Sequence, residues 1–260
     1  MINLLQGDSS QYNDPEVSPE GPKSTAPLDE ETAARNAQLV DEYADALYDA
    51  SAAEILSWAH EHVPGELVVT LSMENTVLAE LSEQYLPGAD FLFLDTEYHF
   101  PETLEVADAV EQRYSEHRLV RATAQLSRKE QDKVYGPNLY RRNPTACCRM
   151  RKVEPLAVHM SPYAGWVTGV RRADGPTRAE APALSLDRTG RLKISPLVTW
   201  SLADTDTYIA DHDLIVHPLT TQGYPSIGCA TCTLPVAEGQ DPRAGRWAFA
   251  QKTECGLHTD

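Results

Sequence analysis

From Leu28 onward, apolar side chains return at helical spacing: Leu39, Tyr43, Ala46 and Leu47 share one face, and Ile55, Leu56 and Ala59 continue it toward His62. The pattern predicts one long helix, stopped by Pro64 and Gly65. Three short apolar runs follow, Leu67 to Leu71, Phe91 to Leu94 and a weaker His117 to Ala122, separated by helical patterns over Val77 to Tyr85 and Leu104 to Tyr114. Further strands are predicted at Trp166 to Val170 and Arg191 to Ile194, and a polar helix from Asp204 to Asp211. Strands alternating with helices predict an α/β fold with an open, mostly parallel sheet and flanking helices. Its ligand crevice is expected at the carboxyl ends of the strands, at Leu71-Ser72-Met73-Glu74-Asn75 and Leu94-Asp95-Thr96-Glu97.

Residues 1–27 contain four prolines, scattered acids and few apolar side chains, too little to offset the entropy of ordering, so a disordered tail is predicted. The 260 residues suffice for one large domain with a real core. No apolar run approaches the ~18 residues of a membrane span, and the N-terminus lacks the pattern of a secretory or transit signal, so a soluble, cytoplasmic protein is expected.

The formal net charge of −17 argues against nucleic acid and anionic membranes as partners, and leaves a homo-oligomer open. The positive charge is nevertheless gathered. Between Arg118 and Lys193 lie 16 of the 22 Lys and Arg residues against six acids. Most are arginine, whose planar fork suits phosphate and sulfate, so an anionic small-molecule site is favoured over an ordinary solvated basic face.

Five cysteines, at 147, 148, 229, 232 and 255, point to metal or redox chemistry rather than a disulfide framework. They divide as four plus one. Adjacent cysteines suit a single tetrahedral ion poorly, whereas a cube of iron and sulfide is wider; spacing alone leaves a 4Fe-4S cluster and zinc equally open, with dithiol redox at Cys229 and Cys232 third. Cys255 stands apart, followed by Gly256, which lets the chain turn, and by His258, close enough to act on a thiolate or an anion.

Four separated segments carry a resemblance: Cys147-Cys148-Arg149-Met150-Arg151-Lys152, Trp166-Val167-Thr168-Gly169-Val170-Arg171-Arg172, the run from Gly223 to Cys232, and Glu254-Cys255-Gly256-Leu257-His258. In this order they resemble assimilatory adenylylsulfate reductases, the iron-sulfur branch of the adenylylsulfate and phosphoadenylylsulfate reductase family, most closely its actinobacterial members. The resemblance runs from about Leu67 to His258. It implies a Rossmann-like fold of the adenine nucleotide alpha hydrolase type, with the reductase domain over residues 28–247 and a mobile C-terminal segment over 248–260.

By the same resemblance, Cys147, Cys148, Cys229 and Cys232 hold a 4Fe-4S cluster and Cys255 is the nucleophile. Lys152 falls between cluster and substrate, Arg243 and Arg246 grip the phosphosulfate, and His258 is the histidine of the tail. Ser72, Leu94, Thr96, Gly169 and Arg178 match nucleotide-contacting positions. Two departures stand out. The first loop, often Ser-Gly-rich, reads Leu71-Ser72-Met73-Glu74-Asn75-Thr76, and the usual Leu-Asp-Thr-Gly is Leu94-Asp95-Thr96-Glu97, where a glutamate turned to the ribose would repel a 3′-phosphate.

The implied activity is reduction of adenosine 5′-phosphosulfate to sulfite and AMP through an S-sulfocysteine, with thioredoxin or a similar dithiol protein as reductant. The alternatives are the 3′-phosphorylated substrate, a related sulfurtransferase, or a non-catalytic metal-binding redox sensor. The last gives no role to Cys255, Arg243 and Arg246.

Overall fold

The protein is described by a computed structural model covering residues 14–15, 28–250, 252 and 254–257. Of the predicted tail only Asp14 and Pro15 are among them, and Asp14 accepts a 2.9 Å hydrogen bond from Arg142; the rest of residues 1–27 lies outside the described residues.

The first helical pattern forms two helices, α1 (Glu30–Leu47) and α2 (Ala52–His62). The periodicity was continuous, but Ser51 and Glu54 form a reciprocal capping box that starts a new helix. Then come β1 (Leu67–Leu71), α3 (Val77–Tyr85), β2 (Asp90–Asp95), α4 (Pro101–Arg113) and β3 (Leu119–Thr123). Between β3 and the next strand lie α5 (Arg128–Tyr135), α6 (Leu139–Arg142), α7 (Pro144–Cys148), a π-helical turn (Arg149–Val153) and α8 (Glu154–His159). The chain continues through β4 (Gly165–Val167), β5 (Leu184–Leu186), β6 (Leu192–Ile194) and α9 (Leu202–Asp211).

The sheet order is β3-β2-β1-β4-β6-β5, parallel except for the antiparallel edge strand β5. The expected fold class is therefore observed, with one strand unforeseen. Only three residues long, Leu184–Leu186 has no periodicity to read; its pairing with β6 makes it a strand.

Side chains alternate between the two faces of the sheet. Val69, Leu71, Phe91 and Phe93 join the larger core under α1 to α4, while Val68, Leu92, Ala122 and Trp166 form a smaller one on the other face with Met160 just beyond α8. Burial of both faces explains why β1 and β2 read as unbroken apolar runs rather than alternating ones. Among the described residues no helix is long and apolar enough to cross a membrane.

β1 is the switch point: the chain builds outward from it to β2 and β3 on one side and to β4, β6 and β5 on the other. The loop leaving β1 is tied down from beyond. His217 donates its backbone N–H to the Glu74 carbonyl at 3.0 Å, and Thr76 pairs with Ile215.

The His217 ring is fully buried and neutral by construction. Nδ1 accepts the Leu219 N–H at 3.2 Å, which leaves the proton on Nε2 to donate to Thr103 Oγ1 at 2.9 Å. Burial holds the His217 pKa below its usual value, partly offset by Glu102, and burial does the same to His99. The unfolded chain therefore takes up protons first, so the stability these rings contribute is complete above pH ~6.5 and is lost progressively as pH falls below it. Chemical denaturation at pH 7 and pH 5 is expected to show this loss in the parent and a shallower dependence in His217→Gln. Equal slopes in the two proteins would remove His217 from the account.

Candidate functional site

A cavity of about 490 Å³ opens at the carboxyl ends of β1, β2 and β4. That is where an open α/β sheet divides at its switch point and leaves room for a ligand. Ser72 lines it from β1, Leu94 from β2, and Gly169 from just after β4. Lys152, Arg178, Arg243, Arg246 and Cys255 complete the wall, so eight of the ten expected nucleophile and substrate positions meet in one place although they span almost two hundred residues.

Two do not. Thr96 is fully buried, with Oγ1 3.3 Å from Cys229 Sγ and accepting the Tyr98 N–H, so its hydroxyl serves the cysteine cluster instead of the cavity. His258 lies outside the described residues.

Cys147 and Cys148 end α7 and run directly into the π-helical turn, whose wider backbone lets consecutive side chains be re-aimed. Cys229 and Cys232 flank a 3₁₀ turn closed by the Cys232 N–H on the Cys229 carbonyl at 2.9 Å. All four are buried free thiols in one cluster with Tyr98, Leu139 and Trp247, and Cys255 packs against it. Burial pushes the Cys148 thiol up to about 11, against the pull of Lys152, and raises Cys147 and Cys232 as well. Among the described residues no three His, Cys, Asp or Glu side chains converge on the position of a single metal ion.

Lys152 lines both the cavity and the narrow gap among the cysteines. Burial lowers its pKa, but the sulfurs of Cys229, Cys255 and Cys148 outweigh that and hold it above the usual lysine value. Arg151, only 2% exposed, bonds Gln131 through Nε and Glu97 through Nη1, while its Nη2 has no hydrogen-bond partner.

Glu97 therefore turns to Arg151 and does not line the cavity. Its carboxylate accepts from Arg151 at 2.7 Å and from the Arg128 N–H in the first turn of α5. Its backbone is left-handed (φ 56°), a conformation that glycine adopts without strain and that costs a side-chain-bearing residue about 1 kcal/mol or more. The ion pair with a buried guanidinium offsets that strain.

The arginines are held by features that motif spacing did not expose. Arg246 Nη1 donates to Ser226 Oγ and the Ile227 carbonyl, and its guanidinium lies flat against Gly228, where an added Cβ would strike it. Leu234 donates its N–H to the Gly245 carbonyl at 3.0 Å and sets its own carbonyl where a Cβ on Gly245 would strike it, which brings the arginine loop beside the Cys229–Cys232 turn. Glu74 also lines the cavity and accepts the Ile227 N–H at 3.1 Å; burial raises its pKa, countered by that hydrogen bond, Arg171 and Arg246. A glycine next to a cysteine motif and an acid in a strand-end loop were the available signals. Neither is specific without its neighbour in space.

Glu254 was legible only as part of the terminal motif. Arg178 binds its carboxylate through Nε and Nη2 at 3.1 and 3.0 Å, and Arg243 approaches it at 3.4 Å. Arg178 is fixed from behind by Asp174 at 3.1 Å. The site is thus a polar anion cradle with a cysteine in its wall and a second, thiol-lined compartment beyond Lys152. It can bind a doubly anionic group, shield its charge and expose it to a sulfur nucleophile.

Comparison with known proteins identifies the family. Residues 66–235 match the model of the phosphoadenosine phosphosulfate reductase domain. The chain is 48% identical to the adenosine 5′-phosphosulfate reductase of Mycolicibacterium smegmatis, over 85% of this chain and 94% of that protein, and 46% identical to that of Streptomyces coelicolor, over 90% and 99%. Among solved structures, the phosphoadenylyl-sulfate reductase of Candida auris superposes with a TM-score of 0.61 at 26% identity, covering 81% of this chain and 100% of the other. A domain match across most of the fold, and relatives at nearly half identity along most of their length, place this chain in the phosphoadenosine phosphosulfate reductase domain family.

Proposed function

We propose that this protein reduces adenosine 5′-phosphosulfate to sulfite and AMP, with a dithiol protein of the thioredoxin kind as reductant. The observation that carries the reading is the joint placement of Cys255, Lys152, Arg178, Arg243 and Arg246 around one cavity at the strand ends. The names of the curated relatives support the substrate assignment.

The chemistry follows from charge. Arg243, Arg246 and Lys152 neutralise the phosphosulfate and lower the cost of bringing a thiolate to it. The Cys255 thiolate attacks sulfur, the bond from sulfur to the phosphate oxygen breaks, AMP leaves with that electron pair, and an S-sulfocysteine remains. A thiolate of the reductant then attacks Cys255 Sγ and expels sulfite. The reductant's second thiol resolves the mixed disulfide, returning Cys255 and leaving the reductant oxidised. The segment 248–260 is the carrier that moves Cys255 between the two partners.

The four buried cysteines fit a 4Fe-4S cluster better than one ion. Their thiols are buried in one compartment, neighbouring cysteines suit a single tetrahedral ion poorly, and two cations, Lys152 and the incompletely bonded Arg151, line that compartment and call for negative charge. Cys147, Cys148, Cys229 and Cys232 would hold the cluster, whose fixed charge next to Lys152 tunes the field at the substrate while the electrons come from thiols. Thr96 and Arg151 would act on that group rather than on the nucleotide.

Three outcomes are expected. Cys255→Ser is expected to keep its iron and its brown colour and lose turnover, whereas Cys229→Ser and Cys148→Ser lose iron; loss of iron in all three would end the division into four ligands and one nucleophile.

Arg243→Ala and Arg246→Ala are each expected to weaken substrate binding by about 1.5 to 3 kcal/mol, the contribution of a charge-assisted hydrogen bond. A change below about threefold in Kd would return both to an ordinary basic surface.

Since Glu97 is turned to Arg151, it cannot set any preference against a 3′-phosphate. The ratio of kcat/KM for adenylylsulfate over its 3′-phosphorylated form is expected to exceed one in the parent and to stay unchanged in Glu97→Gly. Preference for the phosphorylated form would overturn the substrate assignment, and a shifted ratio in the variant would restore Glu97 as a selectivity residue.

A further inference from the structure

The acid that precedes the nucleophile occupies the arginines expected to bind the substrate. Glu254 and Arg178 are 16% and 13% exposed at their side chains, so their two-point contact is largely sheltered from water and stronger than an ordinary surface pair. Arg243 joins from the other side, and its guanidinium is otherwise disfavoured by burial. Beyond Cys255, Gly256 turns the chain through a left-handed conformation (φ 91°) against Val153, and Leu257 enters the cavity wall. The described part of the tail is thus folded into the cavity, and Glu254 is its charged anchor.

We propose that Glu254 is a positioning residue that docks the Cys255 segment by standing in for the substrate's anionic group, and that the two exchange on Arg178 and Arg243. The proposal deepens the reductase reading and rests on it for the identity of the anion. Asp174 keeps the Arg178 fork aimed when Glu254 departs, so the exchange requires no rebuilding of the cradle. Because both anions use the same donors, each weakens the other's hold by an equal factor. Binding of an anion loosens the tail, and a docked tail opposes binding.

The test uses intact, anaerobically prepared protein and the rate at which iodoacetamide modifies Cys255, read by mass spectrometry on the tryptic peptide that follows Lys252. Inorganic sulfate and AMP serve as probe anions, so the result does not depend on turnover. In the parent, saturating sulfate or AMP is expected to raise the rate by about fivefold or more, the scale of a typical coupling. Glu254→Gln is expected to react fast without any anion and to respond to neither. In steady state with adenylylsulfate the same variant is expected to show a lower KM, since competition for Arg178 and Arg243 is gone.

Arg178→Gln separates docking from simple electrostatics. Removing a cation near a thiol lowers its thiolate fraction and would slow alkylation, whereas loss of the anchor speeds it. Slower alkylation of Arg178→Gln, or equal rates for parent and Glu254→Gln, would overturn the proposal. Absence of sulfite production from adenylylsulfate, with the alkylation pattern as expected, would overturn the reductase reading and leave the anchor standing.

Discussion

Half-buried positive charge is the constraint around which the strand-end region is organised. Arg151, Lys152, Arg178, Arg243 and Arg246 stand close together with restricted access to water, and each such cation is costly unless an anion or a well-placed acceptor faces it. The chain supplies some partners itself: Glu97 for Arg151, Asp174 and Glu254 for Arg178, the Ser226–Ile227 backbone turn for Arg246. Others are incomplete, as the bare Nη2 of Arg151 and Nε of Arg246 show. A region built this way suits negative charge on both sides of Lys152, which lines the cavity and the thiol compartment alike.

That prepared charge needs a rigid frame, and the sheet provides it. β1 and β2 are buried on both faces, so their carboxyl ends are fixed points from which short loops can hold Ser72 and Leu94 at the cavity. The cysteines rest on a different device. Five short helical pieces between β3 and β4 bury few apolar side chains apart from Leu139 and the cysteines, and the π-helical turn at Arg149–Val153 interrupts the regular helix where the chain passes from the Cys147–Cys148 pair to Lys152.

Glu97 shows how local strain and long-range charge are balanced. A left-handed backbone favours glycine, and the resemblance indicates glycine as the usual residue there. Here a glutamate accepts the strain because its carboxylate reaches both Arg151 and the Arg128 N–H that opens α5, where the helix dipole also favours negative charge. In three dimensions this glutamate braces Arg151 beside the cysteine compartment.

The sequence by itself determined the parallel α/β sheet, because two-sided burial writes unbroken apolar runs at β1 and β2 and amphipathic helices between them. It also determined the division of the cysteines and the arginine-rich anion site, because residue chemistry and motif order survive without coordinates. The break between α1 and α2, the three-residue strand β5 and the helices from 128 to 159 were hidden, since each is set by capping, pairing or burial rather than by its own periodicity. Only the tertiary structure decided that Thr96 bonds Cys229, that Glu97 turns to Arg151, and that Glu254 sits on Arg178 and Arg243. Most of those pairings join residues 54 to 133 positions apart, and that of Glu254 with Arg243 crosses 11, and a hydrogen bond of about 3 Å depends on spatial position that one-dimensional spacing does not contain.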